Sequence, residues 1–259
     1  MHFTSEQRLD GDVLERAFTL GDASDTPDAS GIPGIPGILW TPASASAAAP
    51  VPLILICPPP LGLDRVYPRL AGRARYYAAE HGFASATIEL PGSGERPRWE
   101  EAEQARAEMR RVLEAGEPVT DEIIDRVVLP LVERAVPEWR AALDTFLSLP
   151  EIDGPVGYEG GIISIGVRLA RVEPRIKAAG LYAGSFIPRA VFEEARQVTV
   201  PLHVLLQWDD EVNDRQASLD LFDAFASKEK TLHANTGGHA GVPQFELAPG
   251  AGFFARHLK

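Results

Sequence analysis

Residues 53–57, Leu-Ile-Leu-Ile-Cys, form a short, wholly apolar run that ends at a series of prolines. Such a run is typical of a strand that is buried on both faces, as in a parallel sheet. Further strand-like runs lie at 84–90, 156–158, 178–182 and 202–206, and helical segments lie at 68–81, 160–172, 189–197 and 215–227. This alternation predicts an α/β fold with a doubly wound, mostly parallel sheet and right-handed crossovers.

Two segments depart from the alternation. Residues 16–20 and 37–41 are candidate strands of an N-terminal antiparallel hairpin, and the Gly/Pro-rich residues 31–37 have the composition of a turn. Residues 98–149 carry charged and apolar residues at helical spacing, which is more chain than one crossover needs. This helical excursion is interpreted either as extra packing or as a partial lid over the site. We expect residues 1–259 to form a single domain.

The composition restricts the classes of partner. The net charge is -12 and the pI is about 5.0, so binding to nucleic acids or anionic membranes is not expected. The first residues lack the pattern of a signal peptide, and Cys57 is the only cysteine, which is compatible with a cytoplasmic protein. No metal cluster, P-loop or dinucleotide fingerprint is visible, so we predict no metal and no cofactor. The oligomeric state, including a homodimer, stays open.

Carboxylates and a histidine follow the last predicted strands. Gln207-Trp208-Asp209-Asp210-Glu211 comes directly after the run at 202–206, and Gly237-Gly238-His239 comes 29 residues beyond Asp210. Glycines allow a sharp turn that presents an imidazole at the sheet edge. The unperturbed pKa of histidine suits proton transfer near neutral pH.

These motifs, together with Pro91-Gly92-Ser93-Gly94 after the strand that ends near Glu89, resemble the α/β-hydrolase family, close to its dienelactone-hydrolase-like esterase branch. The resemblance covers roughly residues 35–259. It implies that Asp210 is the acid and His239 the base of a catalytic triad. It also implies that Ser93 belongs to a supporting loop and that the substrate is a small molecule.

The nucleophile of that triad is missing from its usual place. The elbow motif Gly-x-nucleophile-x-Gly matches residues 157–161, Gly-Tyr-Glu-Gly-Gly, with Glu159 at the centre. Ser164 is an alternative nucleophile, but Ile162 then stands where the tight turn needs glycine. Ser185 is a weaker candidate.

The segment that should supply an oxyanion donor is altered as well. Residues 58–60 are three prolines, and proline has no N–H. The backbone of Leu61, or of Gly62 in a shifted loop, remains as a donor, together with Gly160 after the elbow residue. We therefore expect backbone donors at Leu61 and Gly160.

Three functional hypotheses follow. The first is a hydrolase-like enzyme with Glu159, His239 and Asp210, acting on a small, largely apolar ester, lactone, epoxide or related molecule. Glu159 would attack carbon, as the elbow aspartate does in the epoxide-hydrolase and haloalkane-dehalogenase branches, or act as a general base or acid, including lyase or isomerase chemistry. The second is a non-catalytic ligand-binding or scaffold protein. The third is a serine esterase that uses Ser164.

Overall fold

The structure is a computed structural model that describes residues 1–10, 12–21, 34–184, 186–211, 213–239 and 241–259. Its described strands are β1 (His2–Leu9), β2 (Val13–Leu20), β3 (Ile35–Pro42), β4 (Val51–Cys57), β5 (Ala84–Ile88), β6 (Ile152–Gly160), β7 (Ile176–Tyr182), β8 (Leu202–Gln207) and β9 (Lys230–Asn235). The helices are α1 (Leu63–His81), α2 (Glu100–Glu114), α3 (Asp121–Phe146), α4 (Ile163–Val172), α5 (Arg189–Ala195), α6 (Arg215–Ala224) and α7 (Leu247–Leu258), with a 3-10 helix at Gln244–Glu246 before α7.

The strands form one nine-stranded sheet in the order β1-β2-β3-β5-β4-β6-β7-β8-β9. The six strands from β5 to β9 are parallel, while β1, β2 and β3 pair antiparallel. The predicted doubly wound, mostly parallel sheet with an N-terminal antiparallel hairpin is therefore confirmed.

The N-terminal region differs from the prediction in two places. β1 was not predicted, because it is a largely exposed edge strand whose polar residues carry no hydrophobic pattern. Residues 35–37 belong to β3 and not to the predicted turn. Residues 31–33 of that turn lie outside the described part of the chain.

Helices cover both faces of the sheet. The α1 and α7 helices pack on one face, where Tyr77 and Phe254 are buried. The α3, α4 and α5 helices belong to the core on the other face, which includes Trp139 and Phe146. Apolar burial on both faces explains why the central strands are continuous hydrophobic runs.

The helical excursion consists of α2 and α3. The second half of α3 is part of the core, whereas Val127, Val128 and Leu131 in its first half face a cavity. Met109 of α2 faces the same cavity. Among the described helices, none combines the length and apolar character needed to cross a membrane.

Candidate active site

A cavity of about 720 Å³ lies beside the carboxyl ends of β4, β6, β7 and β8. This is the edge at which parallel α/β sheets bind ligands. The loop that follows β9 and the excursion complete its walls. Glu159, Ser164, Asp210 and His239 all line this cavity, so the structure brings the predicted side chains to one place.

His239 and Asp210 are in direct contact. The imidazole Nδ1 lies 3.0 Å from Asp210 Oδ2. The Asp210 side chain is 7% exposed and the imidazole is 54% exposed. When Nδ1 carries the proton and donates it to the carboxylate, Nε2 is the basic nitrogen of the neutral ring. The pair therefore has the arrangement of a base oriented by an acid.

Neighbouring residues fix this pair further. Asn213 donates its backbone N–H to Asp210 Oδ1 at 3.0 Å and its side-chain amide to Oδ2 at 2.6 Å. The backbone N–H of His239 donates to Glu211 Oε2 at 3.1 Å. Asn213 was not identified from the sequence, although an amide three residues after an acid is a common local partner.

Glu159 lies inside β6 and not on the bend that follows it. It pairs in register with Ile56 of β4 and Gly180 of β7, and the strand continues to Gly160. The side chain is on the cavity wall but is only 5% exposed. Glu159 was expected at the centre of the elbow, but β6 extends to Gly160, so Glu159 lies within the strand.

Three donors hold the Glu159 carboxylate. Tyr77 donates to Oε2 at 2.8 Å, and Tyr182 donates to Oε1 at 2.9 Å. Arg73 Nη1 lies 3.2 Å from Oε1, and its guanidinium lies over the Tyr182 ring, 5.0 Å from the centroid. Burial raises the pKa of Glu159, and the charge of Arg73 and the bond from Tyr77 oppose this rise.

These three donors were not identified from the sequence. Arg73 and Tyr77 are four residues apart in α1, so they point from one face of the helix toward β6. Tyr182 is the last residue of β7, the strand next to β6. The sequence shows only an arginine and a tyrosine at helical spacing, and that spacing does not indicate that the two side chains bind a carboxylate on β6.

The bend between β6 and α4 is formed by Gly161 and Ile162. Ile162 has φ −92° and ψ 87°, which is outside the left-handed region, and α4 begins at Ile163. Gly161 and Ile162 line the cavity. Ser164 is the second residue of α4 and is buried, as the helical interpretation predicted. Ser185 lies outside the described residues.

The expected oxyanion donor at Leu61 is engaged elsewhere. The N–H of Leu61 bonds to the Pro59 carbonyl at 2.8 Å, and the N–H of Gly62 bonds to Ser93 Oγ at 3.2 Å. Leu61 is half exposed, beside a second, smaller cavity. Gly160 is a strand residue whose added Cβ would lie 2.5 Å from Cys57 Cβ. The segment at Leu61 and Gly62 therefore does not offer the donor that the sequence suggested, and the expected donor at Gly160 stays a prediction.

The first turn of α4 is another source of backbone donors beside the cavity. The first N–H groups of a helix have no partner within the helix. No side-chain cap is found there among the described residues. Ile162, Ile163 and Ser164 line the cavity, so the positive end of the α4 dipole faces it.

Cys57 is not a substitute nucleophile in this structure. Its side chain is buried at the end of β4. Burial raises the pKa of the Cys57 thiol to about 12. The thiol is therefore protonated near neutral pH, and Cys57 packs as a small hydrophobic residue.

Comparisons with known proteins agree with this architecture. No protein-family model matches the sequence, and a search of the curated proteins finds no match. Solved structures do match. A cold-adapted esterase from an Arctic intertidal metagenomic library is 28% identical over 100% of both chains, with a TM-score of 0.68.

Two more distant structures share the fold. Acetyl xylan esterase 1 from Thermoanaerobacterium is 11% identical, covers 97% of this chain and 87% of its own, and has a TM-score of 0.62. A Klebsiella pneumoniae protein assigned as a dienelactone hydrolase is 12% identical, with 95% and 99% coverage and a TM-score of 0.65. With its sheet order and these structural relatives, the chain has the α/β-hydrolase fold.

Proposed function

We propose that the chain is a hydrolase of small, largely apolar molecules, with esters, lactones and epoxides as the substrate classes to test. Glu159, His239 and Asp210 are its proposed functional side chains. One observation carries the proposal: a buried carboxylate and an imidazole held by an aspartate line the same cavity at the carboxyl edge of the sheet. The esterases among the structural relatives support the same reaction class.

His239 is proposed as the general base. Its Nε2 takes a proton from a water molecule while the water oxygen attacks the acyl carbon of an ester. The bond between the acyl carbon and the alkoxy oxygen then breaks, and the proton on Nε2 passes to the leaving alkoxide. Asp210 keeps the imidazole oriented and stabilises its protonated form.

The first turn of α4 is proposed to bind the developing oxyanion. Backbone N–H groups there occupy a helix N-terminus next to the cavity. Such donors are worth about 3 kcal/mol each when they point at the transition-state charge. This role replaces the one that Leu61 was expected to have.

Glu159 is proposed to act mainly through its partners. An ionised carboxylate has about four lone-pair sites, and Tyr77, Tyr182 and Arg73 occupy three of them. This leaves little freedom for attack on a substrate carbon. Tyr182 and Arg73 also line the cavity, so Glu159 holds two polar groups at fixed positions against the substrate.

The cavity walls indicate the kind of substrate. Leu70, Val128, Leu131 and Ile163 supply apolar surface, and arginines such as Arg69 supply positive charge on the α1 side. A small apolar body that carries one polar or anionic group fits this distribution.

The test is a single turnover in H₂¹⁸O with enzyme in excess, on the best substrate from an ester, lactone and epoxide panel. Attack by water that His239 activates gives ¹⁸O in the product of the first turnover. With an epoxide, attack by Glu159 forms an ester that water cleaves at the Glu159 carbonyl carbon, so the product contains ¹⁶O and the protein retains ¹⁸O, which mass spectrometry detects. Labelling of Ser164 by a fluorophosphonate would instead support the serine-esterase hypothesis.

A non-catalytic ligand-binding protein is the second candidate. The observation that favours it is the bend itself, since Gly161 and Ile162 stand where related hydrolases present a nucleophile. Under this hypothesis the whole panel gives no turnover, while ligands still protect the chain against thermal unfolding. Turnover that a His239→Asn variant loses would contradict it.

A further inference from the structure

Three metal-ligating side chains meet on the sheet face that α7 covers. His203 lies at the start of β8, His233 lies in β9, and Glu246 precedes α7. One ligand atom from each side chain lies within 4.8 Å of the other two. This cluster could not be predicted from the sequence, because its members are separated by 30 and 13 residues and follow no metal-binding motif.

His203 has the orientation of a metal ligand. Its Nδ1 lies 3.2 Å from Thr231 Oγ1, so Nδ1–H can donate to that hydroxyl. Its Nε2 then carries the lone pair, yet this buried atom has no hydrogen-bond partner among the described residues. The residue is 5% exposed. Metal-bound histidines commonly donate their other N–H to an oxygen in this way.

His233 and Glu246 complete the set. His233 Nδ1 lies 2.9 Å from Glu246 Oε2, and Asn235 donates to Glu246 Oε1 at 3.0 Å. The His203 and His233 rings are in edge-to-face contact, with centroids 4.5 Å apart. One carboxylate oxygen is thus held by an amide, while the other faces the two imidazoles.

From this geometry we infer that His203, His233 and Glu246 form a binding site for a divalent transition metal, with Zn²⁺ as the preferred ion. Two imidazoles and one carboxylate are a ligand set that Zn²⁺ accepts. Bond lengths near 2.0 Å in a tetrahedron separate the ligand atoms by about 3.3 Å. The ligand atoms now lie within 4.8 Å of one another. Side-chain rotations that move the ends of His233 and Glu246 by about 1.5 Å would bring them to the tetrahedral separation.

The neighbouring charges and the exposure of His233 are compatible with binding of a metal ion at this cluster. Arg256 lies over the Phe253 ring, which stacks on His203, and it bonds to Glu229 at 2.6 Å, which offsets its charge. His233 belongs to the edge strand β9, and its side chain is 38% exposed, so an ion can enter from that side. The metal would join β8, β9 and the start of α7, and therefore fix the wall segment that follows His239.

The experiment is a Zn²⁺ titration of the EDTA-treated chain by calorimetry, with Co²⁺ absorption as a second readout. We expect one tightly bound ion, tetrahedral Co²⁺ bands between about 500 and 650 nm, and a higher Tm with metal. His203→Phe, which keeps a ring against Phe253, and Glu246→Gln should each weaken binding at least tenfold. Thr231→Val should weaken it about tenfold through the orientation of His203.

Two matched variants separate this site from others. His239→Ala removes the Asp210–His239 pair, and His257→Asn removes an imidazole that contacts Glu229. Both should bind Zn²⁺ as the unmodified chain does. Unchanged affinity in His203→Phe, or loss of all binding in His239→Ala, would overturn the inference. A His203→Phe chain that fails to fold leaves Glu246→Gln and the Co²⁺ spectrum to decide.

Discussion

The carboxylates of Glu159 and Asp210 lie on the same cavity but are bound by different kinds of partner. Glu159 is held by an arginine and two tyrosines on α1 and β7, with its charge enclosed by the sheet and helix α1. Asp210 holds the imidazole of His239, which is half exposed at the end of β9. The first group is anchored by its surroundings, whereas the second supports a side chain that can meet water and substrate.

This difference assigns separate tasks to the two regions. A group that exchanges protons with substrate needs access and an unoccupied lone pair, which the imidazole has when Nδ1 carries the proton. A group that fixes neighbouring donors needs burial and several bonds, which Glu159 has. Activity should therefore depend most steeply on the His239 side, and the free energy of unfolding on the Glu159 side.

The largest expected effect is on activity at His239. His239→Ala should lower kcat/KM by about 10³-fold, because a positioned general base contributes about 10²- to 10⁴-fold. Its Tm should change little, since the imidazole is half exposed. Steady-state kinetics and a thermal melt measure the two quantities. If His239→Ala lowered the Tm as strongly as it lowered activity, the His239 region would be as important for stability as the Glu159 region, and the proposed division of tasks would be wrong.

The sequence was sufficient for the Asp210–His239 pair because each residue follows its own strand directly. Parallel strands end at one edge, so Asp210 after β8 and His239 after β9 had to be close. The doubly wound, mostly parallel sheet could be predicted as well, since apolar runs and helical segments alternate in sequence. The edge strand β1 carries no such signal.

The surroundings of Glu159 could not be predicted in the same way. Tyr77 lies 82 residues before Glu159, and Tyr182 lies 23 residues after it. Their contacts depend on which face of β6 the side chain points from and on how α1 crosses it. Two adjacent glycines, Gly160 and Gly161, also left the end of the strand undetermined, which is why the bend was placed too early.

The second effect is on stability at Glu159. Glu159→Leu should lower the free energy of unfolding by about 3 kcal/mol, because it leaves the partly buried Arg73 charge and two tyrosine hydroxyls without their acceptor. Glu159→Gln retains an acceptor and should cost less. The matched control is Glu194→Gln, a buried carboxylate that Arg168 contacts at 2.5 Å outside the cavity. Urea unfolding compares the three variants, and equal costs for Leu and Gln would argue against the anchoring role.

The smallest effect is the pH dependence of the difference in unfolding free energy between the unmodified chain and Glu159→Gln. Burial raises the folded pKa of Glu159 above 4.5, so the folded state favours the protonated form. Its stabilising contribution is complete below pH 4.5 and is lost as the pH rises through the folded pKa.

Glu173 provides the opposite case, since hydrogen bonds from Arg175 lower its pKa to about 2. Its contribution is present above pH 4.5 and is lost as the pH falls toward 2. Urea titrations between pH 3 and about 8 should therefore give slopes of opposite sign for Glu159→Gln and Glu173→Gln. A difference for Glu159 that increased with pH would mean that Arg73 and Tyr77 stabilise the charged carboxylate by more than burial costs.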